Sequence, residues 1–309
     1  MVGLSIVITY YNGEKFIENC INSLIISHNK SIEKIPFEII LIIDSPLNSS
    51  TIIQKLNSKF KDLIDLNIQI NENNQGVSKS RNIGLSLTKY RYYTIIDQDD
   101  NVLDNYFSII IDNIDNKYPV LLLNGYINNE NLKQKNTMYL FKPKFKFSNI
   151  LLQNTIIYTP GLLIFDSHEI VKENFFIETS TLYKGCDDWA GYLNLLSKKK
   201  IKYFFVKTPV FSYNIHSENF SNQLSTMLKS AISVLKYLEN KPFTNKYNKQ
   251  LIKFSIKLQE FYLSKNCLFL SKIKLTSKYP IQVFYHYFGC YLNLDRFNNL
   301  IIKINSKLK

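Results

Sequence analysis

The sequence predicts an α/β fold with a mainly parallel central sheet flanked by helices and a helical C-terminal extension. Three observations carry that prediction. Short β-branched runs alternate with helical patterns through the first hundred residues, two of the runs are apolar on both faces, and polar clusters recur at the strand ends.

Leu4 to Thr9 and Glu38 to Ile43 have the two-faced apolar content of central strands. Between them Phe16, Cys20 and Leu24, with Ile17 and Ile21 one position on, form an apolar stripe at i, i+4 and i+8, which predicts a helix packed on the sheet. A third strand is expected over Leu66 to Asn71, a helix over Val77 to Thr88, and a fourth strand over Tyr92 to Ile96. That fourth strand runs into the tetrad Asp97-Gln98-Asp99-Asp100. Ligands of open α/β sheets gather outside the carboxyl ends of the strands. Three polar clusters fall there: Thr9 to Asn12, Asp44 to Pro46, and the tetrad.

Farther along, a strand is expected at Val120 to Asn124, a Lys/Phe-rich loop around Phe141 to Phe147, and an apolar run over Ile156 to Phe165 interrupted by Pro160-Gly161. Asp187-Asp188-Trp189 opens a helix with Trp189, Tyr192, Leu193 and Leu196 as its apolar positions, and two carboxylates in a first turn suit the helix dipole. Phe204 to Phe211 is strand-like. Past Ser225 the pattern is helical and basic, with Ala231, Val234, Leu235 and Leu238 on one face.

The 309 residues are 45% hydrophobic and 20% charged, a composition that excludes a disordered chain. The net charge of +13 is uneven: residues 1–224 hold 23 basic and 22 acidic side chains, residues 225–309 hold 15 and 3. The excess is therefore a property of the last 85 positions. That segment carries no RNP, KH or zinc pattern, so no nucleic-acid partner is expected. Its interleaved aromatics, densest over Tyr279 to Leu294, fit an anionic membrane surface, or equally a helical appendage packed on the preceding domain or on a second copy in a homo-oligomer. The opening MVGLSIVITY has no basic n-region, and no apolar run is long enough to span a bilayer. The expectation is a cytoplasmic protein, with peripheral attachment to the inner face of the cytoplasmic membrane as an option. Cys20, Cys186, Cys267 and Cys290 lack C-x-x-C spacing, so neither a disulfide framework nor a zinc knuckle is expected.

Several carboxylates in one small turn repel each other, and a hard divalent cation bound jointly with substrate phosphates would offset that repulsion. A solvated acidic turn capping the next helix is the alternative for the tetrad taken alone.

Four stretches in order resemble family 2 glycosyltransferases of the GT-A fold: SIVITYYN (Ser5 to Asn12), EIILIIDS (Glu38 to Ser45), NQGVSKSRNIGLS (Asn74 to Ser86) and TIIDQDD (Thr94 to Asp100). The resemblance implies a GT-A catalytic domain over 1–224, with a nucleotide-binding half (1–101) and an acceptor-binding half (102–224), followed by the basic region 225–309. It implies an inverting enzyme of surface-polysaccharide synthesis that takes a nucleotide-sugar donor, a UDP-sugar by preference, and a saccharide or lipid-linked acceptor, with Mn²⁺ or Mg²⁺ as cofactor. Thr9 and Tyr11 would line the nucleotide pocket, Tyr11 by stacking on the base, and Asp44 would meet the base ring. Arg81 would lie near the diphosphate or else pair with a carboxylate of the tetrad. Asp97 would face the ribose or sugar and Asp99 the metal, while Asp100 is given no role. Gly185-Cys186-Asp187-Asp188-Trp189 is similar to the family's G-x-E-D-W/Y motif, which makes Asp188 the base that deprotonates the acceptor hydroxyl and Asp187 and Trp189 acceptor contacts. His216, in the place of the family's Y-R-x-H histidine, would serve the metal or diphosphate. Ile43 replaces the first aspartate of the family's D-D pair and Asn214 the basic partner of the histidine, so nucleotide identity is less well specified than fold. A catalytically inactive GT-A-like scaffold recruiting partners through its basic tail is the alternative from another class.

Overall fold

The structure is a computed structural model in which residues 1–45, 49–114, 117–129, 134–152, 157–177, 185–241 and 246–263 are described. Two compact units are present, considered over their described residues: Met1–Met138, Ile157–Glu178 and Ile201–Ser217 form the first, and Tyr139–Ile156, Thr179–Lys200 and Glu218–Lys309 the second.

The first unit is built on one sheet. Strands β1 (Leu4–Tyr10), β2 (Phe37–Ile43), β3 (Asp65–Ile70) and β4 (Tyr92–Asp97) are parallel in the order β3-β2-β1-β4. β1 and β2 are central and buried almost throughout, which is why their sequences are apolar on both faces. β3, at the edge, alternates exposed and half-buried positions over its first four residues. Beyond β4 the sheet becomes mixed. It takes in β5 (Asn101–Val102), β6 (Val120–Asn129), β7 (Gln134–Thr137), β8 (Leu163–Asp166) and β9 (Phe204–Ile215). β8 is antiparallel to both β4 and β6, whereas β9 is parallel to β6 and antiparallel to the short β5.

Helices α1 (Ile17–Lys30), α2 (Ser49–Phe60), α3 (Val77–Leu87) and α4 (Tyr106–Ile114) complete this unit. The stripe Ile17, Cys20, Ile21 and Leu24 is the buried face of α1. Phe16 precedes the helix and serves a different purpose, described below. α3 lies close enough on β1 that a Cβ at Gly84 would come within 2.3 Å of Val7 Cγ1. Val7 is fully buried, a contribution of about 1.5–3 kcal/mol that depends on this close seating. At the amino ends of the strands Arg91 forks onto the nearly buried Asp166, Nε at 3.1 Å from both carboxylate oxygens and Nη2 at 2.7 Å from Oδ2.

The second unit is helical where described: α5 (Phe147–Leu152), α6 (Asp187–Lys198), α7 (Leu224–Glu239) and α8 (Lys246–Leu263). Val234, Leu235 and Leu238 of α7 and Leu251, Ile252 and Phe254 of α8 are buried as the two helices pack together, and α5 packs on both α6 and α8. The apolar face expected past Ser225 is thus a packed helix face. The aromatic stretch Tyr279 to Leu294, together with Cys267 and Cys290, lies outside the described residues. Cys20 and Cys186 are free and buried. Among the described residues no helix is long and apolar enough to cross a membrane.

Candidate active site

The three polar clusters expected at strand ends meet at one edge of the parallel half-sheet. β1 pairs in register with β4 up to Thr9 and Asp97, and with β2 up to Tyr10 and Ile43, so the residues after each strand emerge side by side. Thr9, half-buried, is the partner of Asp97 in the ladder. Tyr11 follows with its side chain half exposed, and Asn12 takes a left-handed φ of 48°, a conformation asparagine tolerates better than most residues.

Asp44 is buried, and its carboxylate is heavily engaged by its own fold. Oδ1 accepts from Asn71 Nδ2 at 2.8 Å and from the Gln75 amide at 2.7 Å, and Oδ2 accepts from the Gly76 amide at 2.9 Å. These three bonds leave about one of the carboxylate's four acceptor positions for another donor. They also restrain the left-handed Gly76 (φ 80°) that starts α3. Neither Asn71 nor Gln75 was expected at the site. Their spacing from Asp44 depends on β2 and β3 lying side by side, and no local pattern encodes that.

Arg81, on α3, is buried and does pair with a carboxylate of the tetrad: its Nη2 lies 2.6 Å from Asp97 Oδ1. Its guanidinium also lies over the Phe176 ring, 5.1 Å from the centroid. Asp97 is therefore held from behind while more than a quarter of its side chain stays exposed.

Within the tetrad the carboxylates diverge. Asp100 is buried, with Oδ2 accepting from Thr159 Oγ1 at 2.8 Å and Oδ1 from the Asn214 amide at 3.1 Å. Burial, followed by the charges of Asp99 and Asp97, pushes its carboxyl well above the usual carboxylate range. Asp99 is raised for the same reasons, burial first and Asp97 second, and is partly relieved by His216. His216 Nε2 lies 3.0 Å from Asp99 Oδ2, and the imidazole stacks on Phe16 with centroids 4.5 Å apart. Asn214 Nδ2 also donates to the Asp99 carbonyl at 2.8 Å. β9 continues four residues past its expected end at Phe211, and that extension carries Asn214 and His216 to the tetrad. Asn214, which stands where the family has a basic residue, thus bolts the acidic turn in place through two hydrogen bonds. Phe16, Thr159 and Asn214 were not legible as site residues, since each reaches the turn only through long-range packing.

The Gly185-to-Trp189 motif belongs to the second unit. Gly185 (φ 111°) and Cys186 (φ 58°) both have positive, left-handed φ, and they deliver the chain into α6 with Asp187 and Asp188 in its first turn, both half exposed. Asp188 Oδ1 accepts from the Trp189 amide at 2.7 Å. Ser230 Oγ donates to the Gly185 carbonyl, and Cys186 Sγ lies 3.5 Å from the Met227 carbonyl, so α7 fixes the turn. Burial, then Asp188 and Asp187, pushes the Cys186 thiol up to about 12, which makes it inert. Trp189 is buried and donates its indole N–H to the Ile150 carbonyl at 2.7 Å. It anchors α6.

A profile described as "Glycosyl transferase family 2" matches residues 5–172. The minor teichoic acid biosynthesis protein GgaB of Bacillus subtilis (strain 168) is 26% identical over 262 residues, which are 77% of this chain and 27% of GgaB. Glycosyltransferase GlyG of Streptococcus pneumoniae serotype 4 is 24% identical over 182 residues, 58% of either chain. This chain therefore spans only part of the length of these relatives. Among solved structures, S. aureus TarS 1-349 in complex with UDP-GlcNAc superposes with a TM-score of 0.61 at 15% identity, covering 92% of this chain and 81% of that one. That likeness establishes the GT-A fold. With the profile running over more than half of the chain and through all three converging strand ends, this protein belongs to glycosyl transferase family 2.

Proposed function

We propose that the protein is an inverting glycosyltransferase that moves a sugar from a UDP-sugar to a saccharide or lipid-linked acceptor in cell-surface polysaccharide synthesis, working at the inner face of the cytoplasmic membrane. The observation that carries this reading is the meeting of Tyr11, Asp44 and the tetrad at one sheet edge, with His216 brought onto Asp99. The complex of TarS with UDP-GlcNAc and the teichoic acid assignment of GgaB support a UDP-sugar donor and a wall-polymer acceptor.

In this reading the Tyr11 ring stacks on the base, Thr9 lines the pocket beside it, and the remaining acceptor position of Asp44 meets the base edge. Arg81 keeps Asp97 aimed at the ribose or sugar. Mn²⁺ or Mg²⁺ fits the turn in a shared form. Among the described residues no three His, Cys, Asp or Glu side chains make a metal cage by themselves, so Asp99 and His216 would hold the ion together with the donor diphosphate. When bound, the cation stabilises charge on the departing diphosphate. Asp188 takes the proton from the acceptor hydroxyl as that oxygen bonds to the anomeric carbon and the bond to the diphosphate breaks. Asp187 orients the acceptor. The basic region from 225 onward contributes attachment to anionic lipid, the partner its charge suits.

Calorimetric titration with UDP, with and without Mn²⁺, tests the reading. Wild type should bind at least about tenfold more tightly with the metal, and Asp99→Ala should abolish that difference. Binding indifferent both to Mn²⁺ and to Asp99→Ala would refute it.

A further inference from the structure

Gln98 is the one member of the tetrad without a carboxylate, and its side chain reaches away from the acidic groups toward the end of β1. Its Oε1 accepts from the Tyr11 amide at 3.0 Å, and its Nε2 donates to the Tyr11 carbonyl at 3.0 Å. A single side-chain amide thereby satisfies both polar groups of one residue's backbone, as a neighbouring strand would. The β1–β4 ladder ends at Thr9 and Asp97, so Gln98 extends it by side chain past the point where backbone pairing stops. A second observation points the same way. A Cβ on Gly13 would lie 2.2 Å from Gln98 Oε1 and 2.3 Å from its Cδ, so the absence of a side chain at 13 leaves the space the amide fills. Gly13 has no left-handed φ that would otherwise require glycine.

We infer that Gln98 is a positioning residue for the donor: it fixes the backbone from which Tyr11 presents its ring, and so ties the base-stacking turn to the diphosphate-binding turn. The inference rests on the proposed nucleotide role of Tyr11. Asn12, the next residue, turns the chain in a left-handed conformation, so the course of the turn depends on what holds Tyr11 before it. Because Gln98 lies between Asp97 and Asp99, holding the diphosphate at Asp99 also stiffens the platform under the base. Discrimination between nucleoside diphosphate and bare diphosphate then depends on a residue that touches neither.

The test uses the full chain, saturating Mn²⁺, and two probes, UDP and inorganic pyrophosphate. Gln98→Met keeps the length of the side chain and removes both hydrogen bonds. Gly13→Ala leaves Gln98 intact and displaces its amide. Each should weaken UDP binding about five- to tenfold, the effect of two partly exposed hydrogen bonds, and leave pyrophosphate binding within about twofold of wild type. Adding Tyr11→Ala to Gln98→Met should weaken UDP binding by less than Tyr11→Ala does in the wild type, since the two act on one contact. Equal weakening toward both probes would overturn the inference, because a damaged acidic turn would produce it. Unchanged UDP binding in Gln98→Met and Gly13→Ala, with Tyr11→Ala still impaired, would overturn the inference and leave the donor reading intact. If wild type binds no UDP, or Tyr11→Ala binds it normally, both fall.

Discussion

Replacing Gly185 with alanine tests whether the turn before Asp187 and Asp188 is held as tightly as its geometry implies. Two separate costs arise. At φ 111° an L-residue is in a region occupied almost only by glycine, at about 1–3 kcal/mol. The new Cβ would also lie 2.6 Å from Met227 Sδ and 2.9 Å from Phe220 Cε1. Both neighbours are ends of movable side chains, and Phe220 is partly exposed, so the packing cost belongs at the lower end of its range, about 1 kcal/mol. The total is about 2–4 kcal/mol. The chain contains one tryptophan, and Trp189 is in the first turn of the helix that this glycine introduces, so its fluorescence reports on the second unit alone. With a urea dependence of about 2 kcal/mol per molar, the midpoint of the Trp189 transition should fall by about 1–2 M. Because α7 grips the same turn through Ser230, sugar transfer should fall as well, with UDP affinity unchanged. A midpoint within about 0.3 M of wild type would show that the turn tolerates a side chain and that the strain argument is wrong.

Two further outcomes are expected. Asp188→Asn should reduce transfer by about 10²- to 10⁴-fold while UDP titrations with Mn²⁺ stay at the wild-type value, and near-normal transfer would remove Asp188 as the base. The Arg91–Asp166 pair should give a pH signature in thermal melts. Burial alone would raise the Asp166 carboxyl, but the bonds from Arg91 and the His168 amide hold it below the usual range. Its stabilisation is therefore complete above the unfolded value near 3.9 and is lost as pH falls through the lower folded value. Asp166→Asn should be less stable than wild type at pH 7, by about 1–3 kcal/mol, with the gap closing below about pH 4. A gap that persists at pH 2.5 would assign the effect to packing.

The parallel half-sheet was legible because each of its elements is specified locally. β1, β2 and α3 fall within one residue of their expected limits, and the stripe read between β1 and β2 is the buried face of α1; two-faced apolar runs and a 3.6-residue stripe need no partner to be recognised. The second half was harder. β6 extends five residues past Asn124, and β9 four past Phe211, along stretches such as Tyr126 to Asn129 and Tyr213 to Ile215 whose strand character comes from pairing with each other. The site divides in the same way. Asp44 and Asp99 follow strands and Asp97 ends one, so their placement at the sheet edge was readable by position. Asp100 looked the same as its neighbours, and its burial by Thr159 and Asn214 depends on residues 59 and 114 positions away. The bond from Trp189 to Ile150 was not legible either, because an aromatic after an acidic pair carries no mark of whether it faces solvent or the interior.

The long reach of Asn214 and His216 also has a bearing on synthesis of the chain. The acidic turn leaves the ribosome about 115 residues ahead of the asparagine and histidine that brace it, an interval of roughly 6–23 s at ordinary elongation rates of about 5–20 residues per second. Through that interval β1, β2 and β4 can pair, but Asp99 and Asp100 lack the imidazole and the amide that later brace them. Competence for the donor should therefore arise in a single late step when β9 docks, and ribosome-bound chains halted before residue 214 should have the sheet without the site.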